Sequence, residues 1–155
     1  MPVKQNALIV IKLLTFQEKP MQVYQSRYAM MEVFPDRQFN KVTWLPTTAQ
    51  MSEEEFKIEL LNQSQAAAPY GYARILIDTS KFSMIVTPPI QKWAQENIHR
   101  PIYETGLRPK IAFLASEDIF SQVSIEQTMD EEVANDFSQI RYFQTEEEAL
   151  QWLLE

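Results

Sequence analysis

Cysteine is absent from this chain, histidine occurs once and glycine twice among 155 residues. Without cysteine there is no disulfide, thiolate nucleophile or zinc ribbon, and with His99 as the lone imidazole there is no histidine cluster. Any metal site would have to be made of oxygen ligands, and neither a metal nor a cofactor is expected. So little glycine leaves no glycine-rich loop to wrap a phosphate. Positive charge is scarce as well: 14 Lys and Arg stand against 21 Asp and Glu, a net charge of −7. That balance removes a general attraction to phosphate backbones and anionic headgroups, so nucleic acid is not an expected partner. Long apolar runs are also missing. The run Ala7 to Leu14 is too short to span a bilayer, is interrupted by Lys12, and is followed by no small-x-small cleavage site. No stable membrane insertion and a cytoplasmic location are the expectations.

What remains is a composition that folds. Apolar residues make up 45% of the chain and aromatics 12%, and a chain of this length buries roughly two-thirds of its unfolded surface around one core. From Met21 to Leu45 the pattern is strand-like: "MQVYQ", "YAMMEVFP" and "QFNKVTWLP" are rich in β-branched, aromatic and aliphatic residues, with Pro35-Asp36-Arg37 as a turn. This is an antiparallel meander. Residues 1–20 form an extension in which "ALIVIKLLTF" is read as a further strand packed on the domain, a short helix being the alternative.

The period then changes to about 3.6. Ser52 and Glu55 form a capping box with Met51 and Phe56 as its hydrophobic staple, so a helix begins at residue 53 and presents Phe56, Leu60 and Leu61. "ARILIDTS" is a continuous aliphatic run that fits a central strand buried on both faces. Thr87 is placed to cap the next helix, with Pro88 at its first position, a face of Ile90, Trp93, Ala94 and Ile98, and an end at Pro101. "KIAFLAS" repeats the strand pattern at 110–116. Ser116 then caps a helix with an imperfect stripe of Ile119, Val123, Met129, Val133 and Phe137, which a second capping box at Ser124 and Gln127 is positioned to break. "QIRYF" is a last strand, and Thr145 with Glu148 opens a terminal helix that buries Ala149, Leu150, Leu153 and Leu154. The fold class is therefore α/β: a single mixed sheet, an antiparallel meander followed by a parallel half, with about four helices packed on it.

The element order, the "RILIDTSKF" strand ending on an aspartate, the capped helix after it, "KIAFLAS" and the ending "RYFQTEEEALQWLL" resemble the STAS-like domains. That group includes the anti-sigma-factor antagonists and shades into the CRAL-TRIO lipid-binding domains; the likeness covers residues 21–155. It implies a regulatory interaction domain, with Thr87 in "MIVTPP" at the position of the family's phosphorylation switch. Here Val86 stands where that family has aspartate, and Pro88-Pro89 stand where it has small residues. Proline removes the amides with which a helix N-terminus receives a phosphate.

The candidate ligand- or partner-binding residues are Asp78, Thr79, Ser80, Thr87 and Trp44, with Thr87 also the candidate phosphosite. Asp78 lies at the carboxyl end of a central strand, where open α/β sheets bind ligands, and its plainer reading is an Asx turn. Thr87 is read first as a helix cap. Trp44 forms a partner or dimer patch if it emerges on the outer face of the meander. His99, beside Arg100 and before Pro101, is read as a surface residue at a helix end.

These features support a non-catalytic regulatory or protein-interaction domain that docks a partner or itself, a homodimer included. The alternative is a carrier or sensor of a small apolar ligand such as a lipid, suggested by the Met, Phe and Trp content. An enzyme is not expected, because no spacing fixes two carboxylates in a shared pocket.

Overall fold

A computed structural model describes residues 19–155; the strand expected in the N-terminal extension falls on residues 1–18, outside the described residues. One mixed six-stranded sheet carries four helices. Its strands are β1 (Met21–Gln25), β2 (Ala29–Phe34), β3 (Phe39–Trp44), β4 (Arg74–Asp78), β5 (Lys110–Leu114) and β6 (Gln139–Phe143), and their order in the sheet is their order in the chain. β1 to β3 form the antiparallel meander, and β3 to β6 run parallel. Parallel neighbours need crossover connections, and the change of period after Trp44 supplies a helix for each. α1 (Glu53–Ala67) joins β3 to β4 and α3 (Ile119–Ala134) joins β5 to β6. α2, between β4 and β5, has three consecutive pieces: an α-helical Pro88–Ala94, a π turn Gln95–His99 and an α-helical Arg100–Glu104. α4 (Glu146–Leu153) follows β6.

Strand alternation divides the core into two layers. On one face Phe39, Leu76, Ala112 and Leu114 meet Ala149 and Leu153 of α4 in an apolar cluster. On the other, Met31, Val42, Trp44, Ile111 and Phe113 face Phe56 of α1, Ile90 of α2, and Ile125 and Met129 of α3. Leu76 of β4 is fully buried in the first layer, while its neighbours Ile75 and Ile77 pack on the second. β4 and β5 are thus inner strands covered on both sides, as their continuous aliphatic runs imply.

The start of α1 follows its sequence signal closely. Ser52 Oγ accepts from the Glu55 amide at 3.1 Å, and Glu55 Oε1 accepts from the Ser52 amide at 3.1 Å. Such a cap contributes about 1 kcal/mol. Tyr28 and Tyr24 of the meander donate their hydroxyls to Glu55 and Glu59, which ties the helix to the sheet. The apolar face of α1 differs from expectation, since Leu61 is exposed while Glu59 and Gln63 are buried.

α2 does not end at Pro101. An interior proline clashes with the carbonyl four residues back and lacks an amide. Here the preceding turn is widened, with the Arg100 amide bonding Gln95 O, and Pro101 sits in the first turn of the following α-helical piece, where no amide is needed. Asn97 Nδ2 donates to Trp93 O at 2.9 Å within the widened turn. The helix closes at Gly106, whose φ of +89° is a left-handed conformation that favours glycine.

α3 begins two residues later than expected, capped by Asp118 instead of Ser116. Asp118 Oδ1 accepts from the amides of Phe120 at 2.9 Å and Ser121 at 3.2 Å. These donors, Ser121 foremost, hold its carboxyl below the usual carboxylate range. The helix does not break at Ser124, whose hydroxyl donates to Ser121 O at 2.9 Å and accepts from the Val86 amide at 3.0 Å. Its buried face is Ser121, Ser124, Ile125, Met129 and Glu132; of the expected stripe Met129 is buried and Phe137 partly so, while Ile119, Val123 and Val133 are exposed.

Candidate functional site

Between the sheet and helices α1 to α3 the second core layer is incompletely filled. Two chambers lie there. One, of about 120 Å³, is walled by Trp44, Phe56, Phe82, Val86 and Ile125. The other, of about 170 Å³, is walled by Met31, Asn40, Ile75, Ile102 and Ile111. They share Gln63, His99, Leu60, Ile77, Phe113 and Met129, and so adjoin at the imidazole of His99. Protein interiors are close-packed, so unfilled space beside buried polar groups is where a ligand site is to be sought. The second chamber also shares Asn40, Ser64, Ile75, Ile98 and Pro109 with a cleft of about 340 Å³ that extends past Gly71, Tyr72 and Thr105. Gly71 and Thr105 are exposed, so that cleft opens at the surface.

The polar groups at this junction come from elements whose chemistry the sequence disguises. His99 is the last residue of the π turn; widening that turn rotates the helix face and brings the imidazole inward. π turns of this kind recur at functional sites. Its Nδ1 lies against Oε1 of Glu132, which is fully buried on α3. Neither Glu132 oxygen receives a hydrogen bond of good geometry. Tyr103 stands beside this pair, with its hydroxyl 3.3 Å from Ser138 Oγ. Burial, reinforced by the Glu132 charge, pushes the Tyr103 phenol well above its ordinary range, so it stays protonated at neutral pH. Tyr142 is raised in the same way, by burial and then by Glu126, Asp130 and Glu132.

Two further polar side chains are more than nine-tenths buried and incompletely bonded where they line the second chamber. Gln63 Nε2 has no hydrogen-bond acceptor, and Asn40 Oδ1 has no donor. An unsatisfied buried polar atom costs stability, and native structures keep few of them.

Of the residues singled out from sequence, Trp44 and Thr79 belong to the chamber wall. Trp44 is 5% exposed and packs against Phe82 at 5.3 Å and Phe56 at 5.8 Å, so it faces inward and forms no outer patch. Thr79 donates to Leu114 O at 2.5 Å across the ends of β4 and β5. Asp78 and Ser80 are turned to each other: Asp78 Oδ1 accepts from the Ser80 amide at 2.9 Å and from its hydroxyl at 2.6 Å. This is the Asx turn of the plainer reading. Asp78 points to the α4 face of β4, the side away from the chambers, because it shares parity with Leu76.

Thr87 occupies the N-cap position of α2 but makes no cap bond; its hydroxyl donates to Glu53 Oε1 at 3.0 Å. Pro88 and Pro89 leave no amide in the first two helical positions for it to receive. His99, read from sequence as a surface residue at a helix end, is mid-helix and mostly buried, because α2 continues through Pro101.

Glu132, Gln63 and Asn40 were not anticipated. The available signal was spacing: Ser121, Ser124, Ile125, Thr128, Met129 and Glu132 recur at three and four residues, a helical face drawn mainly in small or polar side chains. Among the described residues, no three His, Asp or Glu side chains gather where a metal ion could be held, and no helix is long and apolar enough to cross a membrane.

No family model, curated protein or solved structure matches this chain.

Proposed function

We propose that this domain is a non-catalytic carrier or sensor of a small, mainly apolar ligand held between the sheet and helices α1 to α3. One observation supports this above the rest: chambers with mostly apolar walls meet at buried polar side chains that lack partners, the composition typical of small-molecule sites. An engineered cavity of roughly 150 Å³ accommodates benzene, so chambers of about 120 and 170 Å³ suit ring-sized groups, not a two-chain lipid.

Trp44 provides a signal within the wall. Titration with toluene is expected to change tryptophan emission and raise the melting temperature, with the emission response lost in Trp44→Phe. Absence of a thermal shift at millimolar toluene, together with a bare polypeptide mass for freshly purified protein in native mass spectrometry, would end this reading.

A second reading, a regulatory protein-interaction domain that docks a partner or a second copy, is favoured by a separate feature. Ile119 and Phe120 at the start of α3 are 71% and 70% exposed, and Ile85 and Val123 are exposed beside them. Hydrogen bonds from Ser83 to Asp118 and from the Val86 amide to Ser124 bring the segment bearing Ile85 against α3. Grouped apolar exposure of this kind marks interaction surfaces, and the resemblance of the element order to STAS-like domains points the same way. If the patch joins copies of the chain, light scattering will report a dimer that Phe120→Asp converts to monomer; a wild-type protein that stays monomeric at high concentration excludes self-association.

A further inference from the structure

We infer that the ligand is a neutral ring-sized molecule carrying a hydrogen-bond acceptor such as a ketone or amide carbonyl, and that the site rejects carboxylate and phosphate ligands. This deepens the carrier reading and rests on it.

Among the described residues, neither chamber is lined by Lys, Arg, Asp or Glu. The ionisable side chains on the walls are His99 and Tyr103, and Tyr103 is a half-buried phenol kept in its neutral form. His99 is the one wall group able to carry positive charge, and it already lies against the fully buried Glu132. A bound carboxylate would place a second negative charge close to the first, with one imidazole between them. Removing an ion from water is costly unless an opposite charge meets it, and one hydrogen bond from an amide returns only a small part of that cost. A phosphate group, more heavily charged and hydrated, fares worse.

A neutral acceptor meets the opposite situation. Gln63 Nε2 is a buried donor without a partner, so a carbonyl oxygen gains a hydrogen bond while satisfying an amide that is otherwise bare. Nδ1 of His99 lies against Glu132 without a hydrogen bond of good geometry, so the imidazole is a further polar group at the junction of the chambers. Asn40 adds an unpartnered acceptor on the chamber side that leads to the surface cleft, suited to a ligand that also carries an N–H or O–H. The walls set the rest of the ligand: Ile75, Ile77, Ile111, Phe113 and Met129 call for an apolar ring.

The test compares probes of nearly equal shape on the intact chain at pH 7.5, by titration calorimetry and thermal shift: toluene, acetophenone, benzamide and benzoate. Acetophenone and benzamide are expected to bind at least about tenfold more tightly than benzoate, with toluene between them. Gln63→Leu is expected to weaken acetophenone about three- to tenfold while leaving toluene unchanged or tighter. Benzoate binding as well as acetophenone, or Gln63→Leu leaving the acetophenone-to-toluene ratio unaltered, overturns the inference and leaves the carrier reading standing. If none of the four probes binds and freshly purified protein has a bare polypeptide mass, the carrier reading falls with it. Should Gln63→Leu fold poorly, Gln63→Met removes the donor with less change of shape and serves the same comparison.

Discussion

Replacing His99 with leucine is expected to lower the unfolding free energy by about 3 kcal/mol or more, because it leaves the fully buried Glu132 side chain without the polar group that lies against it. Glu132 has no exposed surface, its oxygens receive no hydrogen bond of good geometry, and the imidazole is the group able to carry positive charge that lies against it. The same buried pair is poor evidence of net stabilisation, since both groups were taken out of water to form it. Replacing both residues with leucine is therefore expected to restore most of the loss, and a double-mutant cycle in urea will show a large favourable coupling between positions 99 and 132. A loss below about 1 kcal/mol in His99→Leu would mean that Glu132 reaches water, and the chambers would then be open solvent. If the pair exists to orient His99 toward a ligand, the double variant will be a stable protein with weakened ligand binding. That pattern separates a site from a structural pair.

The sheet was legible from sequence because its signals are local and agree with one another. The aliphatic runs ending at Asp78 and Leu114, the turn at Pro35-Asp36 and the capping box at Ser52 each have a physical cause within a few residues, and each lies where that cause puts it. The site was less legible because it breaks these rules. Apolar residues on α3 suggested a buried stripe through Ile119, Val123 and Val133, yet the helix turns those outward and buries Ser121, Ser124 and Glu132. Hydrogen bonding explains part of that inversion: Ser124 satisfies the Val86 amide, and Thr128 Oγ1 bonds Ser124 O at 2.7 Å. Burial of Glu132 has no such local compensation, and its partner is 33 positions away in sequence on another helix. Pro101 misled for a related reason. Proline usually ends a helix, and only the five-residue hydrogen-bond step before it lets the helix continue and turn His99 inward. Asp78 shows the reverse: its place at a strand end suggested chemistry, and parity puts it on the face away from the chambers. Residues that look reactive by position were turn residues here, and those at the junction looked like ordinary helix surface.

Leu76 and Ile77, adjacent on β4, provide a second large effect and a test of whether the chambers are empty space. Leu76 points into the layer under α4, where it is fully buried among Phe39, Ala112, Leu114, Ala149 and Leu153. Its contacts surround it on every side, and Leu76→Ala is expected to cost about 3–5 kcal/mol, the transfer energy of the lost groups plus the void they leave. Ile77 points the other way and lines both chambers. Part of its surface already lacks neighbours, so fewer dispersion contacts are lost on truncation, and Ile77→Ala is expected to cost about 2 kcal/mol or less. Denaturant unfolding of the two variants at one pH measures the difference directly. Saturating a chamber with toluene should narrow it, because in wild type and in Leu76→Ala the ligand gains contacts with Ile77 that the shortened side chain cannot make, and binding to the native state adds stability in proportion to the logarithm of ligand concentration. Equal costs at 76 and 77, unchanged by toluene, would mean that side chains close the space beside Ile77 in solution, and that layer would then be ordinary core.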